Sequence, residues 1–437
     1  MTGCLPPPRA EVVSMGTATP WRRAATRATT AWPAKGQAAA IARLEAGGLP
    51  DRRTEDWRYT DLAPFLERWN RYLDASVAPG SGGPGSGGPE AAPELPATGA
   101  LRVDIRDGQP VAPAGALPGG LSISVRPAGP DLLARADAVE SEPLVDLNTA
   151  LATGVVVITL APGVALDDAP VHVRLIGTGA PLLAQPRLLV DLGAGSRLAL
   201  TVEHTGGPAA LVNAVTQAWV GPGGHLELVR AQCLPDDGML MDTGRIELAA
   251  GASATVTSVD LGGLLARQSL ALVLAGAGAS ARVDGLFLAD GNRHLDSRTR
   301  IEHRAAATTS REDFRGLADG HGHGVFNGRI IVLPGAAGSS AELTNRNLLL
   351  AATAEIDTKP ELEIYVDDVR CSHGATTGQL DPQALFYLRS RGLEPGAARL
   401  ALTRAFLGRT LAGIRNPALR TRLEAQLEVR LGRSGPP

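Results

Sequence analysis

A repeating unit in the middle of the chain restricts the fold more than any other feature of the sequence. Each unit consists of a short apolar run, a turn of small residues and a second short run, as in VDLGAGSRLAL at residues 190–200. The equivalent turn glycines are Gly195, Gly224, Gly251, Gly278 and Gly338, which are 29, 27, 27 and 60 residues apart, the last interval being about two periods. A period of about 28 residues suits one coil of a β-solenoid, in which inward residues stack on those of the next coil.

The repeat predicts that residues 101–380 form a mainly β core, built as a parallel β-helix. Short runs rich in valine, isoleucine and leucine, such as 155–160 and 329–333, recur along this region, and helical spacing is nearly absent. Aromatic residues make up 3% of the chain and glycine occupies 52 positions, so we expect a core of small aliphatic side chains with frequent tight turns. A β-sandwich or jelly roll shares these features and is the alternative.

Helical segments are predicted on both sides of this core. Residues 1–77 are expected to form an N-terminal helical region, disordered from Met1 to a point between Met15 and Ala25, with a helix at 37–46 followed by a Gly-Gly cap. The glycine- and proline-rich residues 78–100 predict a flexible linker. Residues 381–437 predict a C-terminal helical cap of three helices, each beginning at a proline.

Charge and cysteine content argue against several classes of function. The 42 basic and 45 acidic residues leave a formal net charge of -3, so no overall field attracts nucleic acid or an anionic membrane. Three widely spaced cysteines argue against a disulfide framework and for a reducing, cytoplasmic location. We find neither an apolar stretch of about 18 residues that would predict a membrane span nor a phosphate-binding loop that would predict ATP hydrolysis.

Residues 354–392, with the sequence AEIDTKPELEIYVDDVRCSHGATTGQLDPQALFYLRSRG, closely resemble the SufB/SufD family. The stretches RTEDWRYT at 53–60, GVFNGRI at 324–330 and TNRNLLL at 344–350 support the resemblance. It implies a right-handed parallel β-helix flanked by N-terminal and C-terminal helical domains. It also implies a non-catalytic scaffold subunit of iron-sulfur cluster assembly, which pairs with a SufB-type paralogue and docks a SufC-type ATPase on its C-terminal cap. A homodimer is a further possibility.

Two positions make the resemblance SufD-type. In the register of the family, the cysteine characteristic of SufB falls at Ala354, and the SufB Glu-His-Glu triplet falls at residues 372–374, which here are Ser-His-Gly. Thiolate and carboxylate ligands that suit iron are therefore missing. The sequence Cys371-Ser-His373 follows the SufD pattern. In that pattern, the resemblance places the histidine near the SufB interface and implicates it in building the cluster.

Cys371 and His373 are therefore the candidate metal site. If residues 366–373 continue a strand, both side chains lie on one face with Cα atoms about 6.5 Å apart, and thiolate plus imidazole is a partial ligand shell for iron. Two ligands leave the shell open. We therefore expect no stably bound cofactor in the isolated chain, and iron or a nascent cluster held transiently at an interface shared with another subunit. Alternatively, Cys371 is a small buried hydrophobe and His373 a hydrogen-bonded turn residue.

Other candidate residues lie in the cap and among the remaining histidines. The residues predicted to dock the ATPase are Leu400, Phe406, Leu407, Leu411 and Ile414. His321 and His323 have a spacing that can chelate a metal, but their glycine-rich surroundings favour a flexible turn. His294 and His303 lie among arginines and are interpreted as solvated surface residues, with Asp296 and Glu302 as partners of those arginines.

The sequence is also compatible with two alternatives to the scaffold function. One is a secreted-type β-helix enzyme that acts on polysaccharide, against which the scarcity of aromatic residues weighs. The other is a SufB-like subunit that assembles clusters itself, against which Ala354 speaks.

Overall fold

Two ten-stranded sheets form the centre of the protein. The structure is a computed structural model that describes residues 34–74, 101–113, 115–125, 135–136, 142–152, 154–177 and 183–433. From residue 187 onward successive strands alternate between the sheets, so that strands two apart in sequence lie side by side and parallel. The result is a parallel β-solenoid of about eight turns with helices at both ends of the chain. The predicted fold class is therefore confirmed, and the β-sandwich alternative is wrong.

The strands of each sheet follow a simple order along the solenoid. In the first sheet, β2 (Gln109–Pro110) is followed by β1 (Leu101–Arg106), β5 (Ala165–Ile176), β8 (Arg197–Gly206), β10 (His225–Gln232), β12 (Ser253–Asp260), β14 (Ser280–Ala289), β16 (Thr309–Ala318), β18 (Ser339–Leu349) and β20 (Val369–Gly378). In the second sheet, β3 (Leu121–Ser124) is followed by β4 (Val155–Leu160), β7 (Arg187–Leu192), β9 (Leu211–Val220), β11 (Met239–Leu248), β13 (Leu265–Leu274), β15 (His294–His303), β17 (His323–Val332) and β19 (Glu355–Ile364), while β6 (Leu183–Ala184) pairs with β9. Among these described strands, only the pairs β1–β2 and β3–β4 are antiparallel.

The predicted glycine turns form a column along one edge of the solenoid. Left-handed backbone conformations occur at Gly195, Gly223, Gly251, Gly278, Ala307 and Gly338. The backbone N–H of each of these residues donates to a carbonyl of the following coil, as Gly223 does to Ala250 (2.9 Å). The repeat assigned to Gly224 therefore belongs one residue earlier. The 60-residue interval between Gly278 and Gly338 contains one further turn, at Ala307. Ala307 adopts a left-handed conformation that alanine disfavours.

The lumen of the solenoid is filled mainly by aliphatic side chains that project inward from alternate strand positions. Three helices pack on the outer face of the second sheet: α1 (Ala34–Gly47), α2 (Ala63–Asp74) and α3 (Pro143–Leu151). The predicted N-terminal helix is thus present, but α3 was not expected from the sequence. Residues 1–25 and 78–100, which carried the disorder and linker predictions, lie outside the described residues.

The C-terminal helices are α4 (Pro382–Ser390), α5 (Pro395–Leu411) and α6 (Pro417–Arg433). Apolar side chains of α5 and α6 form one buried cluster with outward-facing residues of the first sheet, among them Val229, Val259 and Leu286. The leucine stripe of α6, from Leu419 to Leu431, belongs to this cluster. The cap therefore covers one face of the solenoid as well as packing on itself.

Candidate metal site at the terminal coil

The last coil of the solenoid consists of β19 and β20, and it leaves two strand edges unpaired. In the described part of the chain, β19 pairs only with β17 and β20 pairs only with β18. An unpaired edge presents a row of free N–H and C=O groups that another strand can bind. The terminal coil therefore has backbone groups on β19 and β20 with which another strand can pair.

Cys371 and His373 both belong to β20. Their register partners on β18 are Ala341 and Leu343, which are buried in the lumen cluster, so both side chains lie on the inward side of the strand. Because no further coil stacks on β20 in the described structure, His373 is exposed, whereas Cys371 is half-buried and packs against the lumen cluster. The two residues therefore share one face at the open end of the lumen, which is the arrangement expected from the sequence.

Partial burial affects the Cys371 thiol as a candidate metal ligand. Partial burial raises the pKa of the Cys371 thiol, although a backbone hydrogen bond with Ala341 opposes the effect, so the residue is a neutral thiol at physiological pH. A metal must displace that proton in order to bind the sulfur. Among the described residues, no third histidine, cysteine or carboxylate forms a compact ligand group with this pair. The pair is thus an incomplete ligand set.

A second group of ligand-type side chains lies on the outer face of the second sheet. His323, Glu355 and Asp357 bring their ligand atoms within 4.8 Å of one another, and His323 Nε2 lies 2.8 Å from Asp357 Oδ2. The parallel register places His323 directly beside Glu355 across more than thirty residues of sequence. The interpretation of His323 as part of a flexible turn is wrong, since it begins β17. His321 is exposed and does not join the group.

His294 and His303 are not the solvated surface residues that the sequence suggested. His303 faces the lumen, where its Nδ1 lies 2.8 Å from Thr308 Oγ1 and its Nε2 lies 2.9 Å from Ser310 Oγ. His294 lies against Thr60, with its Nε2 2.9 Å from Thr60 Oγ1. Burial lowers the pKa of each imidazole to about 4, so both are neutral structural residues. The sequence did not reveal that His303 faces the lumen or that the segment around Thr60 covers His294.

Glu312 is a buried carboxylate inside the lumen that sequence reasoning missed. It lies between Val283 and Leu343 in register, and neither of its oxygens makes a well-formed hydrogen bond. Burial raises its pKa to about 7, against a smaller opposing effect of the Thr299 hydroxyl. A raised carboxylate pKa favours the protonated form in the folded state, so stability is lost as the pH rises from about 4.5 to about 7.

We therefore expect Glu312→Gln to stabilise the protein at pH 8 by up to about 3 kcal/mol and to change little at pH 4. The amide imitates the protonated acid in shape, and it removes the charge that burial disfavours. Urea unfolding at the two pH values measures the difference. The exposed Glu342→Gln is the control, for which we expect the same effect at both pH values. A Glu312→Gln protein that is no more stable at pH 8 would show that the buried carboxylate is satisfied.

Comparison with known proteins decides the family. The family described as "SUF system FeS cluster assembly, SufBD core domain" matches residues 175–406, which is more than half of the chain. This chain belongs to the SufB/SufD family. The matched range covers the solenoid from the end of β5 through the terminal coil and into α5.

Three relatives make the position within the family more specific. The chain is 30% identical over 397 residues to the iron-sulfur cluster assembly protein SufD of Escherichia coli, covering 88% of this chain and 90% of that protein. A SufBD family protein of Mycobacterium tuberculosis (strain ATCC 25618 / H37Rv) is 30% identical over 270 residues, 60% of this chain and 68% of its own length. One from Synechocystis is 29% identical over 297 residues, 65% of each chain. The protein is therefore SufD-type and takes part in iron-sulfur cluster assembly.

Within the SufB/SufD family register, Ala354 occupies the turn that leads into β19 and packs against the lumen cluster. A cysteine in its place would stand in the same coil as Cys371 and His373. Without it, Cys371 and His373 are the candidate ligands on the lumen face of the described terminal coil. No helix in the described part of the chain is long and apolar enough to cross a membrane.

The five cap residues predicted to dock a SufC-type ATPase have different exposures. Leu407, Leu411 and Ile414 are buried against the solenoid, and Phe406 is partly buried beneath the Arg315 guanidinium, 5.2 Å from its ring centroid. Leu400 is 38% exposed. On α4, Phe386 and Tyr387 are 73% and 57% exposed, and neither was singled out from the sequence. The accessible apolar surface of the cap is thus centred on α4 and the first half of α5.

Proposed function

We propose that this chain is a non-catalytic scaffold subunit of a cytoplasmic iron-sulfur cluster assembly complex. It pairs with a SufB-type paralogue, or with a second copy of itself, along the terminal coil, and it docks a SufC-type ATPase on its C-terminal helices. The observation that carries this proposal is the coincidence of an incomplete ligand pair with open strand edges at β19 and β20. A partner strand at that edge brings its own ligands beside His373 and Cys371.

The contribution of this chain to the chemistry is to hold iron or a nascent cluster transiently. The exposed imidazole of His373 is free to bind metal from outside the lumen, whereas the Cys371 thiol binds only after losing a proton. The isolated chain therefore binds no stable cluster, and the shared shell is complete only in the complex. The two cysteines in the described residues, Cys233 and Cys371, are unpaired, which suits a reducing compartment.

Proline substitutions in β20 test the proposed pairing edge. Successive residues of a strand direct their N–H groups to opposite sides, so of Thr376 and Thr377 one faces β18 and the other faces the open edge. Proline removes the N–H group. We expect one of the variants Thr376→Pro and Thr377→Pro to lose stability, and the other to remain as stable as the wild type but to lose its partner.

Thermal unfolding and light scattering after gel filtration measure stability and pairing, for the chain alone and after co-expression with a SufB-type paralogue. Thr376→Ser and Thr377→Ser are the matched controls, since both keep the N–H group. A proline variant that remains stable and still pairs fully, whichever position it occupies, would contradict the role of this edge.

A further inference from the structure

A cavity of about 330 Å³ lies between the outer face of the second sheet and the N-terminal part of the chain. Its floor is formed by β9, β11, β13, β15 and β17, and its roof by the loop around Asp56 and Trp57 and by the start of α3. Its volume falls at the lower end of the range for small-molecule sites. The cavity is far from the lumen face of β20, because its floor residues point to the opposite side of a different sheet.

Arginines are the most numerous charged residues in the wall of this cavity. It is lined by five arginines, Arg245, Arg267, Arg298, Arg300 and Arg329, and by three carboxylates, Asp56, Glu142 and Glu302. Each of the five arginines has a carboxylate within 4 Å, such as Arg267 with Asp296 at 2.6 Å and Arg298 with Asp56 at 3.2 Å. Arg245 is matched less closely: it pairs with Glu247 at 3.8 Å, beyond hydrogen-bond distance, although its side chain is only 17% exposed.

The unsatisfied polar atoms at the floor point to one kind of ligand. Arg245 Nε, Arg298 Nε and Asn327 Nδ2 are buried without a hydrogen-bond partner, and all three residues line the cavity. Asn327 is only 4% exposed. Each of these atoms is a donor, and burying a donor without an acceptor is unfavourable. Negatively charged acceptor groups suit such donors best, because hydrogen bonds between an arginine and an anion are charge-assisted.

The strand register places these donors at two opposite ends of the cavity floor. Arg298 and Asn327 are register partners on β15 and β17, so their Cα atoms lie about 5 Å apart. Arg245 lies on β11, where its register partner on β13 is Ala271, whose own partner on β15 is Arg300. Because Arg298 precedes Arg300 by two residues, the Cα atoms of Arg245 and Arg298 are roughly 12 Å apart. The small side chains of Ser269 and Ala271 lie between the two ends.

We propose that this cavity binds a small organic or inorganic anion that carries at least two carboxylate or phosphate groups. One anionic group accepts hydrogen bonds from Arg298 and Asn327, and the other from Arg245. The ligand is a small molecule rather than a peptide segment, because Trp57 of the roof contacts the floor: its ring centroid lies 3.8 Å from Cζ of Arg267. This site is independent of the proposed metal site and partner edge.

Binding is tested on the isolated full-length chain with pyrophosphate and citrate as probes, by calorimetry and thermal unfolding at constant ionic strength set with chloride. We expect at least one probe to bind saturably and to raise the melting temperature, and the stronger of the two identifies the anionic group. Arg245→Gln and Asn327→Asp are each expected to weaken that binding at least tenfold. Circular dichroism spectra verify that both variants fold.

The matched control is Arg311→Gln, which removes an arginine that is 55% exposed on the outer face of the other sheet. We expect it to bind the probe as the wild type does. The proposal would be overturned by the absence of saturable binding of either probe, or by binding that is the same in the wild type and in both cavity variants. Equal weakening in Arg311→Gln would likewise overturn it, since the effect would then follow net charge rather than the cavity.

Discussion

His373→Ala is expected to lower the yield of assembled cluster at least tenfold, when the chain is reconstituted with a SufB-type paralogue and a SufC-type ATPase. An exposed histidine contributes little buried area, so folding and complex assembly are expected to be unchanged. Even the loss of a group that only orients a metal ligand typically costs 10- to 100-fold in metal affinity or activity. Cluster absorbance per assembled complex measures the yield, and gel filtration measures the assembly.

Three further variants make this prediction specific. His321→Ala removes an exposed histidine outside the terminal coil and is expected to behave as the wild type. His323→Ala removes the histidine of the group with Glu355 and Asp357, and thereby separates any effect of that group from the effect of His373. Cys371→Ser preserves size, and we expect its defect to grow with pH, because the wild-type thiol loses its proton more readily as the pH rises. Normal cluster yield in both His373→Ala and Cys371→Ser would exclude the shared site.

Paired substitutions in the cap are expected to separate docking from folding. Phe386→Glu combined with Leu400→Glu places charges on the accessible apolar surface of α4 and α5, and is expected to weaken binding of a SufC-type ATPase at least tenfold without altering the unfolding midpoint. Leu411→Ala removes a side chain buried against the solenoid, and is expected to lower the unfolding free energy by about 2–5 kcal/mol. Binding of the ATPase and urea unfolding are the two measurements.

The reverse pattern would contradict this assignment of the cap. If Phe386→Glu with Leu400→Glu binds the ATPase normally, the docking surface lies elsewhere. If Leu411→Ala is as stable as the wild type, the cap does not depend on its contact with the first sheet. Removal of residues 395–437 is a less informative test, because it would expose the apolar face that includes Val229 and Leu286.

The solenoid and its terminal site could be predicted from the sequence because their signals are local. The turn repeat is visible as a regular spacing of small residues in the sequence. The shared face of Cys371 and His373 follows from the two-residue period of a strand. Ala307 was missed because a left-handed turn without glycine or asparagine leaves no compositional signal.

The remaining features depend on register between coils, which the sequence alone does not specify. His323 meets Glu355 and Asp357 only because β17 pairs with β19 in one particular alignment. The arginine cavity likewise requires the N-terminal segment to fold back over β11 to β17. The burial of Leu407 and Leu411 depends on how the cap docks, since an amphipathic helix does not reveal which surface covers it.

The column of left-handed turns has a consequence for how the gene can change. The spacing between successive turns, from Gly195 through Ala307 to Gly338, is not constant, so the extra residues are absorbed in loops while the strands keep their alignment. Duplication or loss of a whole coil would preserve which side chains enter the lumen, whereas one residue inserted within a strand would invert every side chain after it. We therefore expect insertions and deletions to be tolerated in the turns between strands, or when they add or remove an entire coil. A terminal coil displaced along the solenoid axis in this way would keep the same side chains on its lumen face.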